Sequence, residues 1–364
     1  METQYAIVGG GVLGISIAWG LQRLGQQVVL LDEGDDATRA SRGNFGLIWV
    51  QGKGDGLPAY THWTRRSAAL WPEFAKELED ATGLDLELSQ PGGVDFCLSE
   101  QEVTDGVARL ERIKQSVGDD YPFEYLPYAS LRKMIPEIGS SVLGATYCPE
   151  DGHVNPLYLL RALYADFQAR GGLIINGCSV NTIVKSTNGF QIDGPTHINA
   201  EKVVLTAGLG NRKLGRLVGL DVPVTPNRGQ LLICERVVPF IKYPSVQIRQ
   251  VGEGSIQIGD SNENVGFNDQ TTVDITASIA NRASKIYPIL SRLRVIRTWA
   301  ALRVMTPDGY PIYQQSSTHP GAYIVTCHSG ITLAAIHANV LAKWIAGDVM
   351  PEPVESFHGQ RFSI

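Results

Sequence analysis

The sequence has no paired cysteine motif. Its five cysteines, Cys97, Cys148, Cys178, Cys234 and Cys327, are scattered, and none forms a C-x-x-C. That argues against a zinc or iron–sulfur site held by this chain, and an odd, dispersed set suits a reducing cytoplasm. There is no excess of positive charge either. The chain has 31 lysines and arginines against 37 aspartates and glutamates, a formal net charge of −6. An extended basic surface for nucleic acid is therefore not expected. No long hydrophobic run survives inspection. The apolar stretch Tyr5 to Leu21 is broken by Gly9, Gly10, Gly11 and Gly14, and it follows Glu2 rather than a basic segment. It fits neither a signal peptide nor a membrane span. Internal repeats, low-complexity tracts and a long linker are absent as well.

What is plentiful is glycine, with 39 among 364 residues. Glycine marks tight turns and places where the backbone approaches a ligand. The length suggests two domains. The 43% hydrophobic and 19% charged content is that of an ordinary folded soluble protein.

The strongest local signal is "YAIVGGGVLGISIAWGLQRLGQQVVLLDEG". Tyr5 to Val8 reads as a strand, Ile15 to Leu24 as a helix closed by Gly25, and Gln27 to Leu31 as a second strand ending at Asp32 and Glu33. Gly9, Gly11 and Gly14 fit G-x-G-x-x-G within this βαβ unit, the pattern of a dinucleotide site. Gly9 permits the tight turn, Gly11 lets a pyrophosphate reach the backbone, and Gly14 lets helix and sheet pack closely. The helix N-terminus offers free N–H groups and partial positive charge to the phosphates. The acid after the second strand can accept hydrogen bonds from ribose hydroxyls. The plainer alternative is a glycine-rich turn in an unrelated α/β domain. The motif alone does not separate NAD from FAD. Ala37 to Gly54, a loop with no period containing Phe45, Leu47, Ile48, Trp49 and Val50, favours FAD, because a nicotinamide enzyme would normally continue into another helix.

Further on, Trp63 to Ala81 reads as an amphipathic helix. Leu86 to Leu98 and Glu124 to Leu126 read as strands around a polar helix, Glu100 to Val117. Pro156 to Ala169 reads as a helix capped by Asn155 and stopped by Gly171 and Gly172. "LIINGCSV", "KVVLTAGLGN", "RGQLLICE", "SVQIRQ" and "SIQIGDS" read as strands, and Thr276 to Tyr287 as a helix. "AYIVTCHSGITLAAIHANVLAKWIAG" is strand, glycine turn, helix. In "LRVMTPDGYPI", Pro307, Asp308 and Gly309 form a turn, and Arg303 is a lone charge in an apolar approach to it.

Four pieces, "AIVGGGVLG" with "VVLLDEG", "VVLTAGLGN", "LRVMTPDGYPI" and "HSGITLAA", together with a late Arg361–Phe362, resemble the D-amino acid oxidase-like FAD enzymes, which include glycine oxidase and the sarcosine oxidases. They span nearly the whole chain in family order. "ASRGNFGLIWVQGKG" and "TCHSGITLAAIHA" look most like the B subunits of bacterial opine (octopine or nopaline) oxidases, with D-hydroxyproline dehydrogenase subunits as near relatives. The resemblance implies an α/β fold of two domains. A Rossmann-like FAD-binding domain would be gathered from 1–85, 145–225 and 300–364. A β-rich substrate domain would be inserted as 86–144 and 226–299.

The resemblance also implies roles by position. Gly9, Gly11, Val12, Leu13 and Gly14 would hold the FAD pyrophosphate, and Asp32 with Glu33 beside it the ribose. Ser41, Arg42, Asn44 and Gly46 would line the path to the flavin. Val180 would meet the adenine, and Ala207 and Gly208 would pass close to the cofactor. Gly330, Ile331 and Thr332 would bring a helix N-terminus to the flavin's pyrimidine carbonyl, favouring negative charge there. Arg303 matches the arginine that clamps the substrate carboxylate in glycine oxidase, and it would sit beside the cofactor. Only a guanidinium grips a carboxylate with two parallel hydrogen bonds. A structural ion pair is the plain alternative. His328 could orient substrate or accept the amine proton, or could simply hydrogen-bond near its glycine turn. His153 and His62 are weaker candidates. Lys53 could meet a second carboxylate, but a solvated loop lysine is the plainer expectation.

The sequence departs from the family at three places. Ala301 stands where monomeric sarcosine oxidase carries the cysteine that tethers its FAD, so FAD is expected to be non-covalent. Gln257 aligns with that enzyme's oxygen-activating lysine, which points to a dehydrogenase passing electrons elsewhere. Thr332 falls near its second carboxylate-binding lysine. The expected activity is oxidation of the Cα–N bond of an opine to an imine that hydrolyses. The alternatives are a D-hydroxyproline, D-amino acid, sarcosine or glycine enzyme, and a non-catalytic FAD-binding subunit. The expected partners are an A subunit and a small iron–sulfur subunit in a cytoplasmic hetero-oligomer, with room for an FMN at a subunit interface.

Overall fold

The computed structural model describes residues 1–34 and 39–362. Ala37 and Thr38, at the start of the expected loop, lie outside them. The centre is an eight-stranded sheet. Its main path runs Ile312–Gln315, Ala322–Thr326, His197–Leu205, Glu2–Val8, Val28–Leu31 and Leu173–Ile175, and a hairpin of Thr182–Ser186 and Gly189–Asp193 joins through His197–Leu205. The inner strands are parallel. In Glu2–Val8 the alternation is complete: Tyr5 and Ile7 pack into one core, Ala6 and Val8 into another. Burial on both faces is what a parallel strand covered on both sides demands, and it explains the unbroken apolar runs of the sequence.

Helix Val12–Arg23 begins directly after Gly11 with no side-chain cap, so its first N–H groups are left for other partners. It packs against the helical segment around Ala338 so closely that a Cβ on Gly20 would stand 2.2 Å from the Ala338 carbonyl oxygen. Helix Pro156–Ala169 starts as expected. Asn155 accepts from the Leu157 N–H at 3.1 Å, and Pro156 fills the first turn. A four-stranded antiparallel sheet, in the order Ile248–Gln250, Ser255–Ile258, Thr225–Arg236 and Val295–Met305, and a three-stranded sheet of Gly93–Cys97, Gly144–Cys148 and Glu124–Pro127 enclose a third core.

Several boundaries differ from the sequence reading for local reasons. The second long helix spans Pro58–Thr82 rather than starting at Trp63, because Pro58 suits a first turn whose N–H has no partner. The strand expected over Leu86 to Leu98 is confined to Gly93–Cys97, since Pro91 has no N–H to give a ladder. "LIINGCSV" is extended only at Leu173–Ile175, "SVQIRQ" only at Ile248–Gln250, and the helix expected from Thr276 begins at Val273. The helical segment running from Ala334 to Ala346 contains a π turn, His337–Leu341, that no sequence period announced.

Candidate active site

A cavity of about 1000 Å³ lies at the carboxyl ends of the parallel strands, lined by Val8, Leu31 and Thr326 from three of them and by Thr206 just past the end of a fourth. Ligands of open α/β sheets bind at this edge. The glycine turn forms its floor. Gly9 has φ +105°, and a Cβ there would stand 2.7 Å from the backbone of Thr206 and Ala207. A Cβ on Gly14 would lie 1.9 Å from the Gly9 carbonyl oxygen. Both positions admit glycine alone on steric grounds. The turn is braced on three sides. The Gly10 N–H donates to Asp32 Oδ2 at 2.7 Å, the Tyr164 hydroxyl donates to the Gly10 carbonyl at 2.6 Å, and the Val12 N–H donates to Ser41 Oγ at 2.9 Å. An acid that grips the turn beside a helix N-terminus fits the ADP half of FAD, and the cavity's extent leaves room beyond it.

Of the expected cofactor residues, Gly9, Gly11, Val12, Leu13, Asp32, Glu33, Ser41, Arg42, Asn44, Val180, Ala207, Gly208 and Gly330 line this cavity, and so does His328. Gly14 supports the turn from below. Gly46 sits just outside, its N–H on Asn44 Oδ1 at 2.7 Å. Ile331 is buried in the core. The Thr332 side chain is engaged locally: its Oγ1 accepts from the Trp49 N–H at 3.1 Å and donates to the Leu47 carbonyl at 3.2 Å, which fixes the Leu47–Ile48 strand. Ala301 is buried on Val295–Met305 and offers no thiol. Cys327 does line the cavity, but burial pushes its thiol up to about 12, so it stays protonated.

Leu302 and Val304 line the cavity, so Arg303, alternating with them, leaves the strand on its other side. Its Nη1 donates to Asn227 Oδ1 at 2.9 Å, and its Nη2 pairs with Asp260. Asn227 is the cross-strand partner of Arg303 and is itself oriented by Asn262 and Asn264. The guanidinium lies over Gly229, where a Cβ would come within 2.4 Å of Nη2. Arg303 remains about a quarter exposed, at 25%. Its Asp260 partner keeps about half of its side-chain surface, but the protein around the carboxyl displaces enough water to hold it above the ordinary range despite the arginine beside it.

His328 Nδ1 lies 3.2 Å from Ser329 Oγ, which in turn accepts from Lys53 Nζ at 2.9 Å. Burial, reinforced by the positive charges of Lys53 and Arg303, holds His328 well below the ordinary histidine value, so the ring is neutral. Lys53 is not the solvated loop lysine expected from the sequence. It turns inward, and burial lowers it to about 8. His62 is exposed on the second helix, away from the cavity lining. His153 is buried, with Nδ1 3.0 Å from Arg249 Nη1, and burial with that arginine holds it down to about 3.

Arg249 and Tyr164 went unnoticed in the sequence. Arg249 is 1% exposed, donates from Nε to Gln257 Oε1 at 2.8 Å, and leaves Nη2 without a hydrogen-bond partner among the described residues. A Cβ on Gly46 would stand 2.9 Å from its guanidinium carbon. The neutral Gln257 therefore has a fixed cation at its side. The only signal was a single charge within an alternating strand. For Tyr164, one position in a regular helix, the sequence carried none.

A profile of the family described as FAD dependent oxidoreductase matches residues 4–344. The B subunit of opine oxidase from Agrobacterium tumefaciens (strain Ach5) is 41% identical over 363 residues, covering 99% of this chain and 98% of that protein. The protein of the same name from Rhizobium meliloti is also 41% identical over the same shares. Glycine oxidase from Bacillus cereus ATCC 14579 superposes with a TM-score of 0.89 at 26% identity, covering 99% of each chain. Glycine oxidase from Geobacillus kaustophilus reaches 0.91 at 24% identity over 98% of each, a likeness of fold.

Proposed function

The chain belongs to the FAD-dependent oxidoreductase family, and from that premise we propose that it dehydrogenates the Cα–N bond of an opine of the octopine or nopaline type. The observation that carries this reading is the 41% identity, end to end, with two proteins named as the B subunit of opine oxidase. FAD, held non-covalently by the glycine turn, Asp32, Ser41 and Asn44, supplies a two-electron acceptor when bound.

The chain's own residues bind and orient. Arg303 holds the substrate carboxylate, which takes over the Nη2 contact now made by Asp260 while Asn227 keeps the fork in place. His328, held neutral, accepts a hydrogen bond from the substrate amine; so weak a base orients the nitrogen and does not store its proton. Oxidation of Cα–N gives an imine, and water then splits it into an amino acid and a 2-oxo acid. In this reading, residues 86–144 and 226–299 form the substrate side of the molecule. The chain works within a hetero-oligomer, beside an A subunit and a small iron–sulfur subunit. The FMN left open by the family resemblance finds no support among these relatives and forms no part of the reading.

Product analysis tests it. Holoprotein turning over octopine or nopaline with an artificial electron acceptor should release one amino acid and one 2-oxo acid per opine consumed. Turnover of glycine or sarcosine, with no opine consumed, would sink the proposal.

A further inference from the structure

Lys53 sits in a backbone that fixes where it points. Gly52 and Gly54, at φ +75° and +87°, turn the chain on either side of it. The Lys53 N–H donates to the Val50 carbonyl at 3.1 Å, and its carbonyl accepts from Thr61 Oγ1 at 2.8 Å. The ammonium is thereby held inward with one hydrogen bond, to Ser329 Oγ at 2.9 Å, and it forms no ion pair among the described residues. An ammonium has three donors, and taking it from water with two of them unmet is unfavourable unless an anion completes the site. Asp151 lies near but is already committed. Its Oδ1 accepts from the Val50 and Gln51 N–H groups, and its Oδ2 accepts from Gln51 Nε2 at 2.7 Å. Arg109 and Arg303 add positive charge nearby. Through Ser329, Lys53 is connected to His328, which lines the cavity.

We propose that Lys53 is the second carboxylate-binding residue of the substrate site. The substrate class is then a secondary amine carrying a carboxylate on each flanking carbon. Arg303 holds one carboxylate, Lys53 holds the other through the donors that Ser329 leaves free, and the amine lies between them beside His328. This deepens the opine reading and rests on it. It also separates this site from one built for a monocarboxylate such as sarcosine or glycine.

The test uses yellow, FAD-loaded protein and two ligands that cannot be dehydrogenated at nitrogen because sulfur replaces it. Thiodiacetate carries two carboxylates, and (methylthio)acetate carries one. Each is titrated while the perturbation of the flavin absorbance band is followed. Wild type should bind thiodiacetate more tightly, and Lys53→Met should shrink that preference by about 10- to 100-fold, the range of one charge-assisted contact. Lys53→Arg should keep most of the preference. Raising the pH through about 8 should erode it in wild type, as Lys53 loses its proton. The groups facing Lys53 are Cys327, Arg109, Asp151, Arg303, Ser329 and His328; the thiol, held up to about 12, and the neutral histidine do not titrate in that window. Asp151, raised to about 7, does so beside it and is common to wild type and Lys53→Met, so the difference between the two proteins reports Lys53. A preference unchanged in Lys53→Met, or absent in wild type, overturns the assignment. If wild-type flavin is nevertheless reduced by an opine, the activity stands and only the role of Lys53 falls. If no opine reduces it even with the partner subunits added, the activity reading falls too.

Discussion

In the proposed reaction, Arg303 is the residue on which substrate binding turns. Its fork is set by Asn227 and Asp260 and by the empty space over Gly229. Replacing it with alanine leaves the glycine turn intact, so Arg303→Ala protein should remain yellow. Its kcat/KM should fall by roughly 100-fold or more, as expected for a lost charge-assisted pair. A loss below about threefold in steady-state kinetics would return Arg303 to a purely structural ion pair. Gly229→Ala probes the same geometry indirectly. A methyl group within 2.4 Å of Nη2 must move the guanidinium, so KM should rise while FAD stays bound. Equal KM in the two proteins would contradict this. Arg303 was legible in the sequence because a charge in an apolar approach to a turn calls for a partner. Its partners were not, since Asn227 lies 76 positions away and Asp260 43. Lys53 was misjudged for a related reason. Glycines on both sides announce a loop, but local sequence does not say which way a loop side chain points.

Among the elements, the strand–turn–helix at the N-terminus is the most demanding. Gly14→Ala would place a Cβ 1.9 Å from the Gly9 carbonyl oxygen. The turn must open, and FAD affinity should fall far enough for the purified protein to lose its colour. Retention of stoichiometric flavin would show that the helix can shift at little cost. This unit was legible because its periodicities and turn residues all agree, as was the Asn155-capped helix Pro156–Ala169. The π turn His337–Leu341 was not, because it arises from packing. His337 Nε2 meets the Tyr313 hydroxyl at 2.7 Å, and burial holds the imidazole down to about 3. The sign of its linkage follows. The unfolded chain takes up a proton near pH 6.5 that the folded chain refuses until about 3, so this residue's contribution falls as pH drops through that window. The slope is at most about 1.4 kcal/mol per pH unit. Asp151, raised to about 7 by burial, acts in the opposite sense, but it is common to wild type and variant. Denaturant midpoints at about pH 6.5 and about pH 4.5 should therefore drop less in His337→Asn than in wild type. Equal drops would mean that the folded protein protonates His337 freely.

At the scale of the whole molecule, parallel strands collected from distant parts of the chain bring their carboxyl ends to one cavity. Composition allowed two domains, and the family motifs in order gave the sheet. The antiparallel strands were visible only as apolar stretches, because their pairing is set by contacts between segments tens of residues apart. The central claim is that this chain, carrying FAD, removes two electrons from an opine. The most direct measurement is to mix purified, yellow protein anaerobically with octopine, nopaline, D-proline, D-hydroxyproline, sarcosine and glycine and to follow the flavin absorbance. Rapid bleaching by octopine or nopaline, well ahead of sarcosine and glycine, is the predicted result. Bleaching by glycine or sarcosine alone, or no bleaching by any opine even after the partner subunits are added, would contradict it.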